Sequence, residues 1–158
     1  GDHGWNLREH GLWCKHSCFE TSLLSAMLMA GPGVPRGKKT PKLTEFVDIY
    51  PSLADLCGLP VPDHVEGISF RPLLQDLDRP WKRAAFSEFQ NATSVKTDHY
   101  RYTRWLDDDG QRTAHMLYDH REDPAETVDL SGDEDHVHVV KRLSRLLDNR
   151  WKSGMPPG

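Results

Sequence analysis

Polar and apolar positions alternate with two different rhythms along this chain, and the change falls near Arg79. Beyond it, Ala84 to Phe89, Ser94 to Thr97, Tyr100 to Leu106 and Arg112 to Tyr118 are short segments with aromatic or β-branched residues, the composition of strands. Asp107-Asp108-Asp109-Gly110 has the chemistry of a hairpin loop, so an antiparallel meander is the economical pairing. Val137, Val140, Leu143, Leu147 and Trp151 then recur at helical spacing and predict a closing amphipathic helix over one sheet face. Asp123-Pro124 marks a turn, and the 154–158 tail reads as disordered.

Ahead of Arg79 the rhythm is helical and broken by Pro and Gly. Asp48 can cap a short helix with Pro51 in its first turn, Leu53, Leu56 and Cys57 as its apolar stripe, and Gly58 just past its end. Leu59 to Glu66 is a connection, and Ser69 can cap a second helix through Pro72, Leu73 and Leu74. Phe19 to Ala30 is apolar: its first half suits a helix, while Leu28-Met29-Ala30 suits a buried strand. Val34 to Lys42 sets four cations in a Pro/Gly frame and reads as an exposed loop.

Composition narrows the function classes. With 158 residues the chain can bury a core. A formal net charge of -4 leaves no broad basic field for nucleic acid. The longest apolar run, Leu23 to Ala30, falls far short of the ~20 residues of a membrane span. Cys14, Cys18 and Cys57 are odd in number, which points to free thiols or one bridge. Cys14 and Cys18 have zinc-compatible spacing, but no second pair follows. Asn91-Ala92-Thr93 is a glycosylation sequon.

The chemistry concentrates in the first sixteen residues. Asp2 and His3 would face opposite ways on a strand, but a turn permitted by Gly1 and Gly4 lets both meet at one point. A carboxylate and an imidazole converging there suit a divalent cation. Lys15 can bring a compact positive charge to an anion nearby. His10 and His16 suit acid–base work or simple solvation, and Trp5 and Trp13 suit pocket lining or packing. Asp119, His120 and Asp123 read as turn residues. His136 and His138 cannot share a helix face, which argues against a metal there.

Asp2-His3-Gly4-Trp5, Glu9-His10-Gly11-Leu12-Trp13-Cys14-Lys15-His16, Phe19-Glu20 and Gly31-Pro32-Gly33-Val34 together resemble the type I sulfatases. These belong to the alkaline-phosphatase-like superfamily, and within it the iduronate-2-sulfatase-like branch is the resemblance. Val47 to Gly58, Gly67 to Leu74, Leu117-Tyr118-Asp119 and Asp123-Pro124-Ala125-Glu126 continue it in order. The resemblance implies an α/β fold, of which this is the C-terminal part. Residues 1–78 would belong to the large domain, with a buried strand around 26–30. Residues 79–158 would form a small antiparallel sheet covered by the C-terminal helix.

The resemblance also implies that Asp2 and His3 ligate Ca2+ or another divalent cation, that Lys15 contacts the sulfate, and that His10 lies at the site. The family's nucleophile, a formylglycine, forms inside a Cys/Ser-x-Pro/Ala-x-Arg signature, and no such run occurs here. The expected partners are therefore a sulfated carbohydrate and an N-terminal portion carrying that signature. The chain alone should be inactive and should bind calcium weakly, since such sites use six to eight donor atoms. A phosphodiester or phosphonate hydrolase and a non-catalytic truncated domain are the competing readings. By resemblance the compartment is periplasmic, secreted or lysosomal.

Overall fold

The structure, a computed structural model, describes residues 1–156. Its contacts divide the chain into two compact units, Gly1–Met27 with Ala84–Gly154, and Leu28–Arg83 with Met155–Gly158. The sequence alone predicts a single boundary, between residues 78 and 79, with the opening loop on the side of the helices after it. The opening 27 residues, however, group with the sheet.

The first unit is built on β3 (Ala85–Phe89), β4 (Ala92–Lys96), β5 (Tyr100–Leu106) and β6 (Arg112–Asp119), a four-stranded antiparallel meander in sequence order. Register places Val95 opposite Tyr102 and Tyr102 opposite Leu117, so one row of side chains crosses the sheet. That row packs with Val139, Val140, Leu143 and Leu147 of α1 (Val137–Asp148). The helix follows from the spacing of those four residues, and Asp133 caps the turn leading into it by accepting from the Asp135 N–H. Trp151 falls in a separate short 3-10 turn, Trp151–Gly154. Its side chain, and residues 157–158 of the tail expectation, lie outside what is described.

The adjacent row, Lys96, Arg101 and Tyr118, points to the opposite face because strand side chains alternate. Its polarity is not solvent exposure: Arg101 is 3% exposed. The opening segment covers it.

The second unit holds α2 (Ile49–Leu56) and α3 (Arg71–Gln75). The Gly58 N–H donates to Asp55 O and the Leu59 N–H to Ala54 O, with Gly58 at φ 70, the left-handed stop the sequence announced. The expected face is different. Pro51, Ser52 and Ala54 are buried, while Leu53 is half exposed. Asp48 explains the rotation. It stands at the N-cap position as expected, but its side chain makes no cap bond to the helix: fully buried, it accepts from the Glu45 and Ile68 N–H groups and pairs with Lys82 at 2.8 Å. Phe70, Leu73 and Trp81 form the unit's apolar cluster.

The strand expected around 26–30 does not form. Among the described residues no strand pairs with it, and Leu28 is 92% exposed. An extended segment needs ladder partners for its N–H and C=O groups before it becomes a strand.

Candidate functional site

Two short strands, β1 (Asn6–Leu7) and β2 (Trp13–Cys14), make a ribbon in which Asn6 faces Cys14 and Leu7 faces Trp13. Antiparallel pairing returns the chain on itself, so His3, just before the ribbon, and Lys15, just after it, reach the same end. The far end is a tight reversal through Arg8 (φ 93), His10 (φ 55) and Gly11 (φ 70), closed by the Arg8 N–H to Leu12 O at 2.9 Å. Left-handed non-glycine residues cost about 1–3 kcal/mol each and persist where surroundings enforce them. Glu9 helps: its carboxylate accepts from the Leu7 N–H at 2.5 Å. Main-chain donors from Glu9 itself and Leu7 hold that carboxyl below its ordinary range.

The expected convergence is present. His3 Nε2 lies 3.3 Å from Asp2 Oδ2 and 2.8 Å from Lys15 Nζ. His3 Nδ1 lies 2.7 Å from Gly4 O. A carbonyl oxygen can only accept, so Nδ1 carries the proton. An ammonium can only donate, so Nε2 offers its lone pair. The imidazole is therefore neutral and presents an acceptor beside a carboxylate, with no proton to share between them. Asp2 Oδ2 and His3 Nε2 are donor atoms of the kinds a divalent cation takes, and here the Lys15 ammonium occupies the Nε2 lone pair that a cation would use. A ring nitrogen fixed by a carbonyl on its other side is also the usual support of a metal-binding histidine. Asp2, His3 and Lys15 thus fit the cation and sulfate roles in the chemistry of their donor atoms.

The surroundings are built closely. The Gly4 N–H donates to Ser22 O at 2.8 Å, and a Cβ on Gly4 would lie 1.9 Å from Thr21 O. Only glycine fits. Thr21 and Ser22 belong to a single helical turn, Glu20–Leu23. Fully buried Asn6 donates through Nδ2 to Cys14 O and Ser22 Oγ, both at 2.8 Å, and accepts from Thr21 Oγ1 at 2.6 Å.

The other candidates are placed elsewhere. His10 stacks on Phe19 with ring centroids 3.8 Å apart, and no contact joins it to His3 or Lys15. His16 stacks on Phe89 at 5.6 Å. Trp5 and Trp13 are 52% and 64% exposed, so neither is a core residue. Cys14, Cys18 and Cys57 are all free thiols. Burial raises the Cys18 thiol above its usual range.

One charged cluster was not read from the sequence as a unit. Glu20 pairs with Lys96 and Arg101, Arg101 Nε lies 2.9 Å from Glu126 Oε1, and His120 Nε2 lies 2.7 Å from the same oxygen. Glu126 also accepts from the Glu20 N–H at 2.7 Å. Burial alone would raise the Glu20 carboxyl, but Arg101 and Lys96 outweigh it and hold the group low. Glu20, His120 and Glu126 could ligate a metal by proximity. Lys96 and Arg101 already neutralise those carboxylates, so the cluster is an anchor of the opening segment to the sheet. Glu20 and Glu126 each carried part of the family resemblance, but partners 106 residues apart leave no spacing to read.

Comparison with known proteins completes the picture. Residues 8–153 match the family described as N-sulphoglucosamine sulphohydrolase, C-terminal. The chain is 32% identical to human Arylsulfatase K over 146 residues, 82% of this chain and 26% of that protein. It is 31% identical to a Delta 4,5-hexuronate-2-O-sulfatase of Bacteroides thetaiotaomicron, over 94% of this chain and 33% of that one. A solved 2-O GAG sulfatase superposes with a TM-score of 0.75 at 30% identity, covering 93% of this chain and 34% of the other. The chain thus spans about a third or less of the length of these relatives. With its meander and its closing helix inside the matched region, the chain belongs to the sulfatase family and corresponds to its C-terminal part.

Proposed function

We propose that this chain is part of an enzyme that hydrolyses sulfate esters of sugars, with Asp2 and His3 holding a divalent cation, calcium in the first instance, and Lys15 meeting a sulfate oxygen. The observation that carries the reading is the meeting of Asp2 Oδ2, His3 Nε2 and Lys15 Nζ at one end of the ribbon. The relatives' names support the substrate class, since one acts on a hexuronate 2-O-sulfate and another is a glycosaminoglycan sulfatase.

Sulfate-ester cleavage gathers negative charge on the sulfate oxygens and on the leaving sugar oxygen. A bound cation supplies fixed positive charge there. Asp2 offers a carboxylate oxygen, and His3 offers Nε2 while its Nδ1 proton stays on Gly4 O. The Nε2 lone pair that now accepts from Lys15 is the one a cation would take, so with a cation bound Lys15 would release His3 and have all three N–H donors free for a sulfate oxygen. Charge placed in advance where charge develops is the largest ordinary source of such catalysis. His10 is held against Phe19 and takes no step here.

No Cys/Ser-x-Pro/Ala-x-Arg run occurs in the chain, so the nucleophile lies outside it and the isolated chain does not turn over. The test uses the longer protein that carries this chain, assayed on an aryl sulfate and a 2-O-sulfated uronate disaccharide. Lys15→Ala should lower kcat/KM about 100-fold or more, on the scale of removing one donor to the developing charge. Unchanged kinetics for Lys15→Ala would sink the assignment. A preference for phosphonate esters over sulfate esters would move the enzyme to the neighbouring hydrolase class.

A further inference from the structure

We infer that Asn6 is the positioning residue of this site: its buried carboxamide fixes His3 and Lys15 at hydrogen-bonding distance from each other. The inference rests on the assignment of Asp2, His3 and Lys15 above. Its starting point is that the ribbon has two residues in each strand. A ladder that short does not hold its register in water by itself. A slip of one residue would also turn the neighbouring side chains to the other face. Something else must keep Asn6 opposite Cys14, and with it Lys15 beside His3.

The carboxamide spans the three pieces of chain that make the site. Through Nδ2 it reaches Cys14 O, the carbonyl immediately before Lys15. Through the same nitrogen it reaches Ser22 Oγ, and Ser22 O receives the Gly4 N–H, immediately after His3. Through Oδ1 it accepts a hydrogen bond from Thr21 Oγ1. Both Nδ2 protons and the carbonyl oxygen are used, and the side chain is fully buried. The turn it grips is itself tied to the sheet by Glu20, which pairs with Lys96 and Arg101. Asn6 therefore passes the sheet's rigidity to a loop that has little apolar packing of its own. It touches none of the atoms assigned to cation or sulfate, so it acts through His3 and Lys15.

The experiment follows the His3 ring nitrogens by 15N NMR in the longer protein that carries this chain, labelled at histidine, with Mn2+ as the cation probe. In the unmodified protein His3 should show the Nδ1-protonated tautomer, and low Mn2+ should broaden His3 before the other histidines. Asn6→Ala should average the His3 tautomers and raise the Mn2+ needed for the same broadening about 10- to 100-fold, the usual effect of losing an outer support. Thr21→Val keeps shape and removes one of the three bonds, so it should give a smaller shift in the same direction even if Asn6→Ala does not fold. Val95→Ala is the control: it destabilises the sheet core and should leave both readouts unchanged.

A His3 tautomer and Mn2+ response unmoved by both Asn6→Ala and Thr21→Val, with Asp2→Ala abolishing the selective broadening, would overturn the role of Asn6 alone. Broadening at His3 that survives Asp2→Ala would overturn the cation site itself. A Val95→Ala effect equal to that of Asn6→Ala would reduce Asn6 to general stability and overturn the inference.

Discussion

The two faces of the meander are held to their covers by opposite means. Against α1 the sheet presents Val95, Tyr102 and Leu117, and the contact is chiefly apolar, with the Arg104–Asp148 pair at its exposed margin. Against the opening segment it presents Lys96 and Arg101, and the contact is made of ion pairs with Glu20 and Glu126. The apolar cover tolerates small displacements, because dispersion and burial have no direction. The ionic cover does not, because charged hydrogen bonds fix distance and angle and a buried charge without its partner is costly. The half of the unit that carries Asp2, His3 and Lys15 is the half held by directional bonds. Positional accuracy is placed where chemistry needs it, and adaptable packing where only stability is at stake.

The sharpest way to break this contrast is to remove one support from each face. Arg101→Met leaves Glu20 and Glu126 buried without their shared partner, and it should cost about 3–5 kcal/mol. Leu143→Ala, at a fully buried position, should cost about 2–5 kcal/mol. Urea unfolding of each variant checks the two magnitudes. The His3 15N shifts separate them: they should move in Arg101→Met and stay put in Leu143→Ala. Equal disturbance of His3 by both would erase the distinction.

Acid should probe the same face more gently. The Glu20 carboxyl is held low in the folded chain, so its contribution is present above its unfolded value and is lost as pH falls through the folded one. Asp119 adds a lower step. Its bond to Arg121 draws the carboxyl down from 3.8 to about 2, so that contribution disappears as pH falls through that interval. Thermal melts between pH 5 and pH 2 should therefore decline below the ordinary carboxylate range, and less steeply in Arg101→Met, where Glu20 has lost a partner. An identical decline in both would show that Glu20 is not held by Arg101.

The smallest effect belongs to the exposed aromatics. Trp13 is 64% exposed, and Trp13→Ala should change stability by less than about 0.5 kcal/mol in this chain. A loss above about 2 kcal/mol would mean that the ribbon depends on apolar packing after all.

What the sequence made legible follows the same division. The four strands, the Asp107–Gly110 hairpin and the closing helix rest on periodicity, and periodicity is what an apolar core imposes. Gly58 was legible because a helix stop has a local signature. The nearness of Asp2, His3 and Lys15 was legible from the turn that Gly1 and Gly4 permit and from the family resemblance. Asp48 takes the N-cap position, but the use of its side chain was not legible because its partner, Lys82, is 34 residues away. The strand at 26–30 was misread because apolar content cannot say whether a pairing strand exists. Asn6 was passed over for a plainer reason: a buried carboxamide and a surface one look alike in one dimension.

Gly4 carries the last consequence. Its α-carbon stands so near Thr21 O that a methyl group would fall 1.9 Å from it. The gap between the chain just after His3 and the turn beside it is therefore set by one main chain lying on another, with no side chain between to trim or lengthen. Retuning a site for a larger or smaller guest ordinarily proceeds by exchanging side chains that act as spacers. Here there is no spacer to exchange. Any change of calibre must come from groups that approach His3 from its other side, and this edge of the site serves them as a fixed datum.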